Sequence, residues 1–326
     1  MRIATVTLMT LGLVSVLSAG GAEPSPASAP TATSEPSARD IDPFMGEYAG
    51  VYQAGRTPAI EAGATVVPTG KGGYDITLTI TPADRSRDKP RELRLTGRRV
   101  GDKLRIHGRA ASAGWSGELE GGLLIVKDAG EKGALVELIR MDRKSPTEGA
   151  KPPAGAVALL APGAGPPSLS EWTNPRWKAL PGGVMEITRG DNRTKRSFGS
   201  IRLHLEFMTP YEPDARGQNR GNSGVYIQGR YEVQVLDSFG LKAGRGDCGA
   251  IYGIAAPKVN ASLPPLRWQT YDIEFRAARL DAQGKVTRPP VITVIHNGVK
   301  IHDKVKLPRP TGGEASPCRV SSRRCG

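Results

Sequence analysis

The sequence predicts an all-β protein in which a small all-β domain precedes a larger jelly-roll sandwich. Three observations carry that prediction. Short segments that alternate apolar and polar residues recur throughout, 74–80 and 201–207 among them, and a side-chain period of two marks a half-buried strand. No apolar pattern keeps a helical period for long, because 41 Gly and 27 Pro in 326 residues interrupt each candidate. Two Pro-rich segments divide the chain into one shorter and one longer compact region.

The N-terminus reads as a signal peptide over residues 1–22. Met1-Arg2 supplies the positive start, residues 3–17 the apolar run, and Ser18-Ala19-Gly20-Gly21-Ala22 the small residues for cleavage. The expectation is export to the periplasm or the extracellular space, with no membrane span once the leader is removed. Residues 23–41, rich in Ala, Pro and Ser, form a tether. A small β domain spans 42–142, with short strands at 74–80, 92–95, 103–106, 123–126 and 135–138 separated by Gly-rich turns. A Pro- and Gly-rich linker fills 143–168.

The larger domain covers 169–310. Residues 201–207, 271–275 and 291–295 alternate cleanly, and Asn297-Gly298 is a hairpin turn leading into a return strand through Ile301. His296, beside that turn, is expected to be exposed. Many antiparallel strands joined by long turns make a jelly roll, whose curved sheet commonly forms a carbohydrate groove.

Composition narrows the function. The net charge is +13, but the basic residues are scattered among carboxylates and no nucleic-acid-binding motif accompanies them, so nucleic acid is not an expected partner. An attraction to acidic polymers or surfaces accounts for the charge. Of three cysteines, Cys248 reads as a small buried residue, and no Cys/His spacing suits a structural zinc. Nothing in the sequence fixes an oligomeric state.

Residues 217–237 hold the most chemistry. A Gly/Asn turn leads into two short alternating strands. Tyr231, Val233 and Val235 fall on one face, Glu232 and Gln234 on the other, and Tyr226 joins the polar side from the first strand. A carboxylate, an amide and a phenol gathered on one face suit sugar binding or acid–base work. A solvated outer face is the bland alternative.

An ordered series extends outward from this stretch. It runs from Phe198-Gly199-Ser200 to Glu206-Phe207, then Gly221-Asn222-Ser223-Gly224-Val225-Tyr226 and Tyr231-Glu232-Val233-Gln234-Val235-Leu236-Asp237. Cys248-Gly249-Ala250-Ile251-Tyr252, Trp268-Gln269-Thr270-Tyr271-Asp272 and His296-Asn297-Gly298-Val299 follow. The series resembles the 3-keto-disaccharide hydrolase domain family over roughly 169–310. The resemblance implies a concanavalin A-like sandwich acting on glycosides oxidised at C3. In one place the chain departs from the pattern. Family members continue into a last strand bearing Leu-Gln-Asp-His-Gly, whereas residues 311–326 end in a Ser-, Arg- and Cys-rich tail that resembles a frameshifted reading. The family's aspartate–histidine pair is missing there, which leaves the activity of this chain open.

A ketone at C3 acidifies the hydrogen on C2 and makes the glycosidic oxygen a β leaving group. Cleavage by that route asks for a base over C2, a donor at the enolate oxygen and an acid for the departing oxygen. Direct hydrolysis asks instead for two carboxylates flanking C1. Glu232 and Asp237 are the candidate catalytic residues. Their offset of five puts them on opposite faces unless a bulge intervenes. Asn222, Tyr226 and Gln234 are candidate substrate-binding residues, with Tyr252 on the groove wall and His204 and Glu206 as its extension. The expected partner is an oxidised glycoside or oligosaccharide. The sequence names no certain cofactor; a divalent metal held by Glu232, Asp237 and a His is left open. The alternatives are a carbohydrate-binding module without catalysis and an adhesion protein using its basic surface.

Overall fold

The computed structural model describes residues 4–14, 41–110, 113–128, 133–161, 163–188 and 190–311. The tether at 23–40 and the tail with Cys318 and Cys325 lie outside them. The chain is all-β, and among the described residues the helical content is one 3-10 turn, Gly217–Asn219. It divides into two compact units, Pro36–Arg143 and Met1–Glu35 with Lys144–Gly326.

Strand β1 is Ala4–Val14 and belongs to the second of those units. The first unit contains β2 (Gly46–Gln53), β3 (Ile60–Gly70), β4 (Gly73–Ile80), β5 (Arg91–Val100), β6 (Lys103–Ala110), β7 (Ala113–Glu120), β8 (Leu123–Asp128) and β9 (Ala134–Met141). Each pairs antiparallel with the next, and β9 pairs with β2 to close a barrel. Closure removes the exposed edges that an open sheet of this length would carry. The inward phase of each strand is apolar. Tyr74, Ile76, Leu78 and Ile80 of β4 are buried together with Leu104, Trp115, Leu124 and Val136 from other strands. Asp42 ties residues before β2 to the barrel. Its carboxylate accepts the Phe44 and Met45 N–H groups at 2.9 Å each and the Tyr74 hydroxyl at 2.7 Å.

The second unit continues with β10 (Val157–Leu160), β11 (Lys178–Leu180), β12 (Val184–Ile187), β13 (Ile201–Phe207), β14 (Ser223–Ile227) and β15 (Tyr231–Val235). After a long loop come β16 (Gln269–Arg276), β17 (Arg279–Leu280), β18 (Val286–Arg288), β19 (Val291–His296) and β20 (Val299–Lys306). The main sheet runs β11-β12-β1-β13-β16-β19-β20, with β10 also beside β1. Within the run read from sequence as a leader's apolar core, residues 4–14 thus lie in the sheet, parallel to β10, β12 and β13. The β14–β15 pair packs across the core from this sheet: Leu203, Leu205 and Phe207 of β13 and Tyr231, Val233 and Val235 of β15 belong to one buried cluster.

The β19–β20 turn has positive φ at both Asn297 (49°) and Gly298 (80°), as the hairpin geometry of Asn-Gly requires. His296 departs from its sequence reading. It is fully buried, packed edge-on to Tyr271 at 4.8 Å and stacked on Phe207 at 5.8 Å, with Nε2 3.0 Å from Gln269 Oε1. The turn itself is covered, because the Asn297 side chain donates to Ala261 O and accepts from Thr270 N. A turn signal predicts the bend of the chain but not what packs on it.

Candidate active site

The site is built on the β14–β15 hairpin. Gln228 and Gly229 both have positive φ, 55° and 60°, and Arg230 N donates to Ile227 O at 3.1 Å. That is a two-residue turn matched to strand twist, and it fixes the register as Tyr226 opposite Glu232 and Gly224 opposite Gln234. Because side chains alternate, Tyr231, Val233 and Val235 enter the core while Glu232 and Gln234 emerge on the outer face.

On that face the Tyr226 hydroxyl donates to Glu232 Oε2 at 2.7 Å. The Gln234 amide, turned so that its nitrogen meets acceptors, donates to Ser223 O at 2.7 Å and to Glu232 Oε1 at 3.0 Å. Its other end lies 2.9 and 3.1 Å from the side-chain amides of Gln218 and Asn222. Gly224 makes room for this arrangement, since a Cβ there would run into the Glu232 carboxylate. The free edge of β15 is closed by the 249–252 segment: Gly249 N donates to Gln234 O at 2.9 Å, Gln234 N to Ala250 O at 2.9 Å and Tyr252 N to Glu232 O at 3.1 Å.

Glu232 is 8% exposed and Gln234 1%, while Tyr226 reaches the surface at 37%. Burial pushes the Glu232 carboxyl above the usual carboxylate range; the Tyr226 hydrogen bond opposes this and the nearby Asp191 charge adds to it. Tyr226 is raised far above the ordinary phenol value, first by burial and then by its bond to Glu232. A half-desolvated carboxylate of raised proton affinity, with two of its lone pairs held by fixed donors, can accept a proton from a bound molecule.

The profile of the 3-keto-alpha-glucoside-1,2-lyase-like domain matches residues 159–323, just over half of the chain. The chain belongs to this family. A solved structure similar to it is that of a candidate glycosyl hydrolase from Parabacteroides distasonis ATCC 8503, at 34% identity and a TM-score of 0.42. That alignment covers 44% of this chain and 64% of the other. No curated protein matches. Residues 159–323 thus form a 3-keto-alpha-glucoside-1,2-lyase-like domain.

In this lyase-like domain, Glu232, Gln234, Tyr226 and Asn222 come together as their strand phase requires, and Tyr252 joins them along the edge of β15. Asp237 does not. It is buried beyond the end of β15, where Arg220 Nε donates to its Oδ2 at 2.6 Å, Phe239 N donates to its Oδ1 at 3.3 Å and its own N–H reaches Arg220 O. Burial raises its pKa and Arg220 opposes the rise. Arg220 closes the Gly217–Asn219 turn, so this ion pair anchors the stretch that supplies Gln218 and Asn222.

His204 and Glu206 also stand apart. Leu203, Leu205 and Phe207 of β13 face the core, so His204 and Glu206 face away from it, on the side of the sandwich opposite Glu232. There His204 Nδ1 lies 2.7 Å from Asp272 Oδ1 and Nε2 lies 3.3 Å from Glu206 Oε1. Segment 145–149 covers the cluster: Thr147 donates to Asp272 at 2.8 Å and Gly149 N to Glu206 at 2.6 Å. A metal shared by Glu232, Asp237 and a His is therefore not assembled, and among the described residues no group of three His, Cys, Asp or Glu could hold one. Sequence reasoning missed Gln218 and Gly224. The Gly in Asn-Ser-Gly-Val was the one available signal, since glycine in a strand interior often marks close approach.

Proposed function

We propose that the protein cleaves glycosides oxidised at C3, with Glu232 as the base that removes the proton from C2. The observation that carries this reading is the Glu232 carboxylate, buried yet turned outward and fixed by Tyr226 and Gln234. The C2–H electron pair forms the enolate of the C3 ketone. Its collapse breaks the C1–O bond, and the departing alkoxide takes up a proton. Water then adds across the C1–C2 double bond, so the net change is hydrolysis. Tyr226 orients the base, and Gln218 and Asn222 are within reach of sugar hydroxyls at the rim. We infer from the positive start and apolar run of the N-terminus that the protein is exported to the periplasm or the extracellular space.

The experiment is incubation with a 3-keto-disaccharide in D2O. Release of free sugar with deuterium at C2 is expected, and Glu232→Gln should abolish both. Release without deuterium assigns direct hydrolysis and removes Glu232 from the role of C2 base. Binding of the keto-disaccharide without turnover makes the domain a carbohydrate-binding module.

A further inference from the structure

We propose that Thr311 is a positioning residue for Glu232, its hydroxyl holding the backbone from which the base projects. The inference rests on the reading above and adds a residue to it. Glu232 directs its N–H and C=O away from β14, toward the far edge of β15. The C=O is met there by Tyr252 N at 3.1 Å. The N–H is not met by the same segment, because the chain reverses just after Tyr252. Ile254 N and Ala255 N donate back to Ile251 O at 2.8 and 3.0 Å, and Gly253 takes a positive φ of 66°. Thr311 fills the gap. Glu232 N donates to Thr311 Oγ1 at 3.0 Å, the Thr311 hydroxyl donates to Arg230 O at 3.2 Å, and Thr311 N donates to the same carbonyl at 2.9 Å.

The hydroxyl both accepts and donates, so one side chain ties together the peptide groups on either side of Tyr231. Thr311 and Glu232 are both buried, and a buried N–H left without an acceptor is destabilising. The tie falls where the hairpin turn becomes a strand, since Arg230 N closes the Gln228–Gly229 turn on Ile227 O. With both backbone groups of Glu232 fixed, the direction of its Cα–Cβ bond is fixed too, and the carboxylate is delivered to Tyr226 and Gln234. Catalysis is sensitive to such placement: about 1 Å of error costs roughly 100-fold in rate. Thr311 lies 79 residues from Glu232 in the chain, so no local pattern could have paired them.

Thr311→Val keeps the shape of the side chain and removes the hydroxyl; Thr311→Ala removes it without setting a methyl group against the Glu232 N–H. In both variants, hydrogen exchange of the Glu232 amide should quicken about tenfold or more. The Glu232 carboxyl should titrate at higher pH, because a loosened Glu232 weakens the Tyr226 bond that lowers its pKa. In turnover of a 3-keto-disaccharide by folded protein, kcat should fall about tenfold or more with KM held within about twofold, as for a group that acts only in the transition state. Thr311→Ser should recover most of kcat and restore the titration. Unchanged kcat in a folded variant without the hydroxyl overturns the proposal. So does a fall in kcat with the Glu232 titration unmoved, or one that serine does not recover, since either marks a role in the fold alone. If the wild type does not turn over the keto-disaccharide, the functional reading fails and the catalytic part of the proposal fails with it. Amide exchange and titration still decide separately whether Thr311 holds Glu232.

Discussion

Replacing Gly224 by alanine isolates the geometry on which the site depends. Gly224 is cross-strand partner to Gln234, and its φ is not in the left-handed region, so alanine brings no backbone strain. The added Cβ stands 2.9 Å from both Cγ and Cδ of Glu232 and closer still to Oε1. Ordinary contact begins at 3.4 Å, so the side chain is overlapped along its whole outer half. The carboxylate must retreat by roughly 1 Å, and misplacement on that scale costs about 100-fold in rate. Stability falls less, by about 1–3 kcal/mol, as for other overpacked positions. Retreat also breaks the Tyr226 bond, which now lowers the Glu232 pKa, so that pKa should climb further. The assay is turnover of a 3-keto-disaccharide together with NMR titration of Glu232 in the free variant. Full turnover and an unmoved titration in a folded Gly224→Ala protein would refute the reasoning.

Two further outcomes follow from the ion pairs. Burial works to lower the His204 pKa, but its bonds to Asp272 and Glu206 outweigh that and raise it from 6.5 to about 9. The folded state therefore holds the proton more tightly than the unfolded one. The stabilisation, about 3 kcal/mol by linkage, is fully present below pH 6.5 and lost as pH rises through 9. Urea unfolding across that window should show the decline, and His204→Phe should flatten it. Asp237→Ala leaves the Arg220 charge buried without its partner, at a cost of about 3–5 kcal/mol; a loss under 1 kcal/mol on denaturation would show that Asp237 does not anchor the turn.

Strand parity was legible from the sequence. The phase of residues 231–235 put Glu232 and Gln234 on one face with Tyr226 across from them, and the alternation at 74–80 marked a half-buried strand. Asn297-Gly298 gave its turn for the same reason: conformational preferences of this kind are settled within a few residues. Chain order likewise let a family be recognised from a series of short matches.

Parity alone does not say what lies beyond a face. His204 and Glu206 occupy the polar phase of β13, but only the packing of Leu203, Leu205 and Phe207 against β15 turns that phase away from Glu232. Asp237 could be assigned only once Arg220 had folded onto it. Closure of the barrel by β2 and β9 is of the same kind, joining strands from opposite ends of a domain. The local sequence determined which residues share a side, because that depends on backbone geometry one residue at a time. Tertiary structure decided which sides meet, because burial and charge pairing depend on partners brought together only when the chain packs.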